Sequence, residues 1–196
     1  MKRCLPLLAF AVLYASSALG TTITYTAVLT GAAESPTNGS PGTGSATVVY
    51  NSIAHTLDVS VVFSGLISTD TAAQIQCCTA VPGTGIAGVA TETPSFAGFP
   101  LGVTAGVFSN TFDLSLASSW NPSFITSAGG TIADAEAALA AGLAADEAYL
   151  NIHTVTFPGG EIRGFLAPAQ VPEPGTLSLL ALGAASLITA RRRRRV

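Results

Sequence analysis

The sequence predicts a mainly β chain, an antiparallel β-sandwich with one short capping helix, and three observations carry that expectation. Tyr149–Phe157 alternates two unlike sets of side chains with the period of two expected of a strand. Pro158-Gly159-Gly160 then interrupts it, and Glu161–Leu166 resumes the pattern. Proline presets φ near −65° and glycine tolerates positive φ, so this break predicts a hairpin that sends the chain straight back. Several further short alternating runs lie at close spacing, as sandwiches and barrels require.

The elements follow in order. Ile23–Leu29 is a strand with Tyr25, Ala27 and Leu29 on one face. Gly31–Gly44 is rich in Gly, Pro, Ser and Asn and poor in apolar side chains, and reads as loop. Gly44–Tyr50 and Leu57–Phe63 form a second hairpin across Asn51–Thr56, which places His55 in a turn and Leu57, Val59, Val61 and Phe63 on one face. Val107–Leu116 is another strand, with Phe112, Leu114 and Leu116 in register. The helix begins at Thr131, where Thr131-Ile-Ala-Asp134 has the form of a capping box. Alanine-rich sequence propagates it to Ala141, Gly142 is expected to end it in the left-handed conformation, and Ile132, Leu139 and Leu143 are its expected buried contacts.

The two ends of the chain are of another kind. Residues 1–20 join a basic start, an apolar Leu5–Leu13 stretch and small residues at Ser16–Gly20, the pattern of a secretory signal peptide cleaved after Ala18 or Gly20. Export places the body in an oxidising compartment. At the other end, residues 169–175 form a proline-rich linker, residues 176–190 an uncharged apolar helix, and residues 191–196 an arginine-rich tail. Fifteen helical residues reach about 22 Å, short of a hydrocarbon core of about 30 Å, so this segment is a marginal anchor. The arginines are expected to stay cytoplasmic and the body, residues 21–168, to lie outside that membrane.

Seven of the eight basic residues lie in these ends. Between Thr21 and Gln170, ten carboxylates face one base, Arg163. So acidic a surface repels phosphate backbones and excludes nucleic-acid binding, which depends on lysine and arginine. The lone cation is expected to be paired. Glu161 stands two positions before it on the same predicted strand, so the two share a face and can join one ion pair or network. His153 shares its face with Tyr149 and Asn151 and reads as a hydrogen-bonded structural histidine.

No nucleophile elbow, phosphate loop or Ser/His/Asp order appears, and the carboxylates are scattered rather than paired, so no catalytic residue is predicted. No Asp-rich calcium loop is present, and no metal or cofactor is expected. Once Cys4 leaves with the signal peptide, Cys77 and Cys78 are the remaining thiols. Adjacent cysteines can close only a strained vicinal disulfide, far from the unstrained Cα separation of roughly 5.5 Å. A loop-stiffening vicinal disulfide, free thiols, and metal binding or intermolecular crosslinking all remain open for them.

Val171, Pro172, Glu173 and Pro174, the Leu/Ala-rich helix, and the cluster containing Arg191, Arg192 and Arg193 stand in an order that closely resembles the PEP-CTERM sorting signal of bacterial surface proteins. That resemblance implies a Gram-negative host that makes exopolysaccharide. It also implies an exosortase-type enzyme that cuts near the Pro-Glu-Pro motif. The signal peptide adds the Sec translocon as an expected partner, and the apolar segment an inner-membrane intermediate before processing.

The body resembles the CHRD domain, the module named after chordin. The residues that carry this are Tyr25–Pro36, Gly44–Val48, Val62–Leu66 and above all Leu150-Asn151-Ile152-His153-Thr154 with Gly160-Glu161-Ile162-Arg163-Gly164. The family implies a β-sandwich of immunoglobulin-like, Greek-key character in extracellular proteins with no established enzymatic role. This chain departs from the family's pattern at Gln74-Ile75-Gln76, where members commonly carry His-Ile-His. Glutamine amides are poor ligands for zinc or copper, which weakens a metal reading. The sequence therefore points to a non-catalytic surface or matrix protein that meets exopolysaccharide or other surface proteins. The alternative is a metal or redox protein using His153 with the Cys77–Cys78 pair.

Overall fold

A computed structural model describes residues 22–169. The signal segment and the whole sorting tail, including Val171–Pro174 and Arg191–Arg193, lie outside the described residues. Eight strands form one antiparallel sheet: β1 (Thr22–Thr30), β2 (Thr43–Asn51), β3 (Thr56–Ser64), β4 (Asp70–Gln76), β5 (Gly106–Asp113), β6 (Tyr149–Thr154), β7 (Ile162–Phe165) and β8 (Ala167–Pro168). The order across the sheet is β4-β6-β7-β1-β2-β3-β5, with β8 also paired to β1. After three consecutive strands the chain thus crosses from β3 to the far edge at β4, then returns to the near edge as β5.

That crossing curls the sheet until its edges meet. Asp70 N donates to Val103 O at 2.9 Å and Gly102 N to Asp70 O at 3.1 Å, so the start of β4 is stitched to the approach to β5. Farther along, Ala90 N donates to Ile75 O and Phe96 N to Ala73 O, both at 2.9 Å. The open edge of β4 is thereby covered by chain and offers no row of unpaired amides to a neighbour.

The curl encloses one continuous core. The alternating sets expected from sequence point inward: Tyr25, Ala27 and Leu29 on β1, and Leu57, Val59, Val61 and Phe63 on β3. Register places Val48 beside Val59 and Tyr50 beside Leu57, so the cross-strand pairs are apolar. The long segment between β4 and β5 adds Phe96 and Phe99, which the sequence did not assign to any element. They pack among Phe63, Phe108 and Phe112 with ring centroids 5.1–5.7 Å apart, within the range where aromatic pairs attract.

Two helices close one end. α1 (Pro122–Ala128) is capped by Asn121, whose side chain accepts from Ser123 N at 3.0 Å, with Pro122 in the first turn. α2 (Ile132–Ala144) starts at Thr131, whose hydroxyl accepts from Asp134 N at 3.1 Å. Leu139 and Leu143 are buried as expected, and Ile132 packs at the margin of the core.

Three local expectations fail. α2 does not stop at Gly142 but runs through to Ala144, because Gly142 is there for space: an added Cβ would lie 2.3 Å from Cys77 Sγ and 2.5 Å from Cys78 Sγ. β5 ends at Asp113, so Leu116 falls outside the strand and is exposed, while Leu114 is fully buried. The β6–β7 turn is wider than Pro-Gly-Gly alone, with pairing that stops at Ile152↔Ile162. Within it Thr154 N donates to Phe157 O at 3.1 Å, and Glu161 N to Ile152 O at 2.8 Å.

Candidate functional site

The motif residues of β6 and β7 face away from the apolar core, yet they are buried. Tyr149, Asn151 and Arg163 each keep 3% or less of their surface exposed. Alternation would leave this face to solvent; instead two loops fold over it. One follows β1 and opens with a 3-10 turn at Gly31–Ala33, where Thr30 Oγ1 accepts from Ala33 N. The other is the segment around Gly83–Ala87, whose Gly85 carbonyl and Ala87 amide reach the same face.

Arg163 lies opposite Asn151 on β6 and opposite Thr30 on β1. Its Nε donates to Ala33 O at 2.6 Å and one terminal nitrogen donates to Gly85 O at 2.9 Å. The guanidinium stacks 4.7 Å from the Tyr149 ring centroid and 5.6 Å from that of Phe165. Its carboxylate partner is Glu34, at 3.8 Å, with both side chains 4% exposed. Sequence reasoning had selected Glu161 for that role. Glu34 lies 129 positions away in the chain, and a contact at that distance leaves no periodic trace.

Glu161 is fully buried on the other side of the hairpin. One carboxylate oxygen accepts from the Ser40 hydroxyl at 2.6 Å and Ile67 N at 2.7 Å, and the other from the Thr154 hydroxyl at 2.7 Å. It precedes the first β7 residue, so the i, i+2 rule for a shared strand face does not apply to it. Asn38 Nδ2 donates to Glu161 O at 3.0 Å, which fastens the loop after β1 to the same turn.

Burial pushes the Glu34 carboxyl up to about 7, against the opposing pull of Arg163 and of a backbone hydrogen bond at Ser35. Its Oε1, like Asn151 Oδ1, is buried without a hydrogen-bond partner. Both crowd Gly160, whose φ is +128°: a Cβ there would lie 2.5 Å from Asn151 Oδ1 and 2.7 Å from Glu34 Oε1. Gly164 has a different reason to be glycine, because a Cβ would come 2.3 Å from Val28 O, where β7 crosses β1.

His153 has both ring nitrogens engaged. Nδ1 lies 2.8 Å from Pro158 O and must carry its proton to donate there, which leaves Nε2 to accept from Gln76 Nε2 at 3.2 Å. Gln76 Oε1 accepts from the Tyr149 hydroxyl at 2.5 Å, and Gln74 Nε2 donates to Pro94 O. Gln74 and Gln76 thus share the face of His153 and act there as hydrogen-bonding amides. Cys77 and Cys78 are joined Sγ to Sγ and pack against Gly142 of α2, while His153 is held at the β6–β7 turn. Among the described residues no group of three His, Cys, Asp or Glu could hold a metal ion.

Two open clefts flank the strap Glu34–Thr37. One, of about 360 Å³, runs between the strap and the turn at Thr156–Gly160; the other, of about 390 Å³, lies toward Gly83, Thr84, Arg163 and Phe165. A separate polar contact joins the β2–β3 turn to α2. His55, at φ +52°, places Nδ1 2.8 Å from Glu136 Oε2, and the Tyr50 hydroxyl donates to Glu136 Oε1 at 3.0 Å. Burial and then Glu136 push the Tyr50 phenol up to about 12. The sequence had placed His55 in a turn without its partner.

The hairpin and the strap both lie within the stretch that comparison with known families matches. The CHRD domain matches residues 25–166, from the first inward tyrosine of β1 to the residue after β7. The chain belongs to the CHRD domain family. In this CHRD protein the PEP-CTERM protein-sorting motif matches residues 170–195. It is therefore an exported protein processed by an exosortase, passing through a membrane-anchored intermediate to the cell surface or the extracellular space. Neither of the two matched families is enzymatic. No curated protein and no solved structure matches the chain.

Proposed function

We propose that this CHRD protein is a non-catalytic module of the cell surface or extracellular matrix that associates with exopolysaccharide. In this reading the Sec translocon exports it, and cleavage near Pro172-Glu173-Pro174 delivers the body to the surface. The observation that carries the reading is how the motif's charged groups are used. Arg163 is held by two carbonyls and Glu34, Glu161 by three donors, and His153 by a carbonyl and an amide. Groups held this way secure loops over a sheet and are not poised to transfer protons or attack a substrate. Beside the strap, a pair of clefts is open to an outside molecule.

The test is co-sedimentation of the exported protein with exopolysaccharide from its host, together with mass spectrometry of the C-terminus in each cell fraction. Retention on polymer and a terminus near the Pro-Glu-Pro motif are the expected results. Absence of affinity for polymer, for the cell surface and for co-secreted protein would overturn the assignment.

A further inference from the structure

We propose that the two clefts beside the Glu34–Thr37 strap are adjoining subsites of one groove for an uncharged polysaccharide chain. This rests on the reading of the protein as an exopolysaccharide-associated module, and it names the site and the ligand chemistry. Each cleft, at about 360 and 390 Å³, exceeds the roughly 300 Å³ at which small-molecule sites begin. Glu34, Ser35 and Thr37 line both, so a ligand leaving one cleft passes over the strap into the other. Such an arrangement suits a chain of repeated units better than one compact molecule.

The walls specify an amphipathic ligand. Phe157, Pro36 and Pro158 supply apolar surface in the first cleft, and Phe165 in the second. Beside them stand the hydroxyls of Ser35, Thr37 and Thr156, which make no intramolecular hydrogen bond among the described residues and are exposed. Under the strap, Glu34 Oε1 is a buried acceptor with no donor. Apolar faces and free hydroxyls together match a sugar ring, which has a C–H face and a rim of hydroxyl donors.

Charge narrows the class further. The body carries ten carboxylates against Arg163, so an anionic polymer is repelled. Arg163 is itself engaged by Ala33 O, Gly85 O and Glu34 and does not offset that field. A cationic polymer finds no free carboxylate in the groove, since Glu34 is paired with Arg163 and raised toward neutrality. An uncharged glycan meets neither obstacle.

The test measures binding of the exported full chain to the host's exopolysaccharide and to neutral oligosaccharides made from it by partial hydrolysis. Thr37→Trp fills the groove from an exposed strap position, and Phe157→Ala removes the stacking ring. Val107→Lys, on an exposed strand face that lines neither cleft, is the control, and circular dichroism checks that each variant is folded. The expected result is binding weakened at least tenfold by Thr37→Trp and by Phe157→Ala, within twofold of the parent for Val107→Lys, and no competition from a polyuronate. If parent and groove variants bind polymer equally, the groove is not the site, although the module assignment stands. If the parent binds no polymer at all, both fail; capture of a peptide, abolished by the same variants, also refutes the glycan.

Discussion

Replacing Arg163 by methionine gives the sharpest test of how the motif holds the fold. Methionine fills much of the aliphatic volume but donates nothing. The change strands Ala33 O and Gly85 O, which now accept from the guanidinium at 2.6 and 2.9 Å. It also leaves Glu34, 4% exposed, without its cation. Hydrogen bonds from a charged donor are worth about 1.5–3 kcal/mol each, and removing one partner of a buried ion pair costs about 3–5 kcal/mol. These are overlapping descriptions of one loss, so the expected decrease in unfolding free energy is about 3–5 kcal/mol, out of a total of about 5–15 kcal/mol for a typical domain. The loss should depend on pH. Without Arg163 the Glu34 carboxyl rises further above its value of about 7 and escapes the penalty by taking up a proton. At pH 5 Glu34 is neutral in parent and variant alike, and at pH 8 the variant alone must bury an unpaired charge or bind a proton. Urea unfolding of the purified full chain, followed by tryptophan fluorescence at pH 5 and pH 8, should show the larger loss at pH 8. A loss below about 1 kcal/mol at pH 8, or a greater loss at pH 5, refutes the assignment of Arg163 as the clasp of the two loops.

Three further outcomes follow from the same geometry. Because Glu34 is raised from 4.5 to about 7, the folded state binds more protons than the unfolded chain across that window, so stability falls as pH rises through it and levels off above it. Glu34→Gln should flatten the fall in melting temperature between pH 5 and 8; an unchanged slope counts against it. Gly142→Ala, which in an open helix would add about 1 kcal/mol of stability, should instead destabilise, because its Cβ meets both cysteine sulfurs; in a Cys77→Ser, Cys78→Ser background the penalty should shrink, as thermal melts of the four proteins would show. Gly160→Ala should cost at least about 2 kcal/mol through its positive φ and its contacts with Asn151 and Glu34, while Gly159→Ala, with open space around its Cβ, should stay within about 0.5 kcal/mol of the parent in denaturant melts.

The legible parts of this chain were those governed by local rules. Period-two burial gave the inward faces of β1 and β3, and a capping residue placed the start of α2 at Thr131. Three features were not legible, each for a reason of distance or space. The segment from 77 to 105 has no period because it alternates between covering the β4 edge and inserting Phe96 and Phe99 into the core. The glycine at 142 reads as a helix stop unless the sulfurs beside it are known. In the site, the residues of β6 and β7 were identifiable as a motif, but the cation's partner was not, since the carboxylate two positions away was an available and wrong choice. α1 did leave a signal, in Asn121 followed by Pro122, a cap and a first-turn proline.

The placement of one cation in an acidic body also explains why the motif lies on the hairpin and not in the core. Apolar packing already fixes the inner face of β6 and β7 through Leu150, Ile152 and Ile162. Their outer face has to hold two loops that bring almost no apolar surface, Gly31–Asn38 and Gly83–Ala87. For such loops the available attachment is hydrogen bonding to backbone carbonyls, and a guanidinium offers a rigid fork of donors that a lysine ammonium does not. Arg163 takes one carbonyl from each loop, Ala33 and Gly85, and so ties both to β7 at a single point. Glu34 sits nearby to balance the charge, and the strap it belongs to forms the wall of both clefts. The residues that hold the loops down are thus the ones that shape the open surface beside them, which is why a change at Arg163 should disturb stability and ligand binding together, whereas Thr37→Trp should affect binding alone.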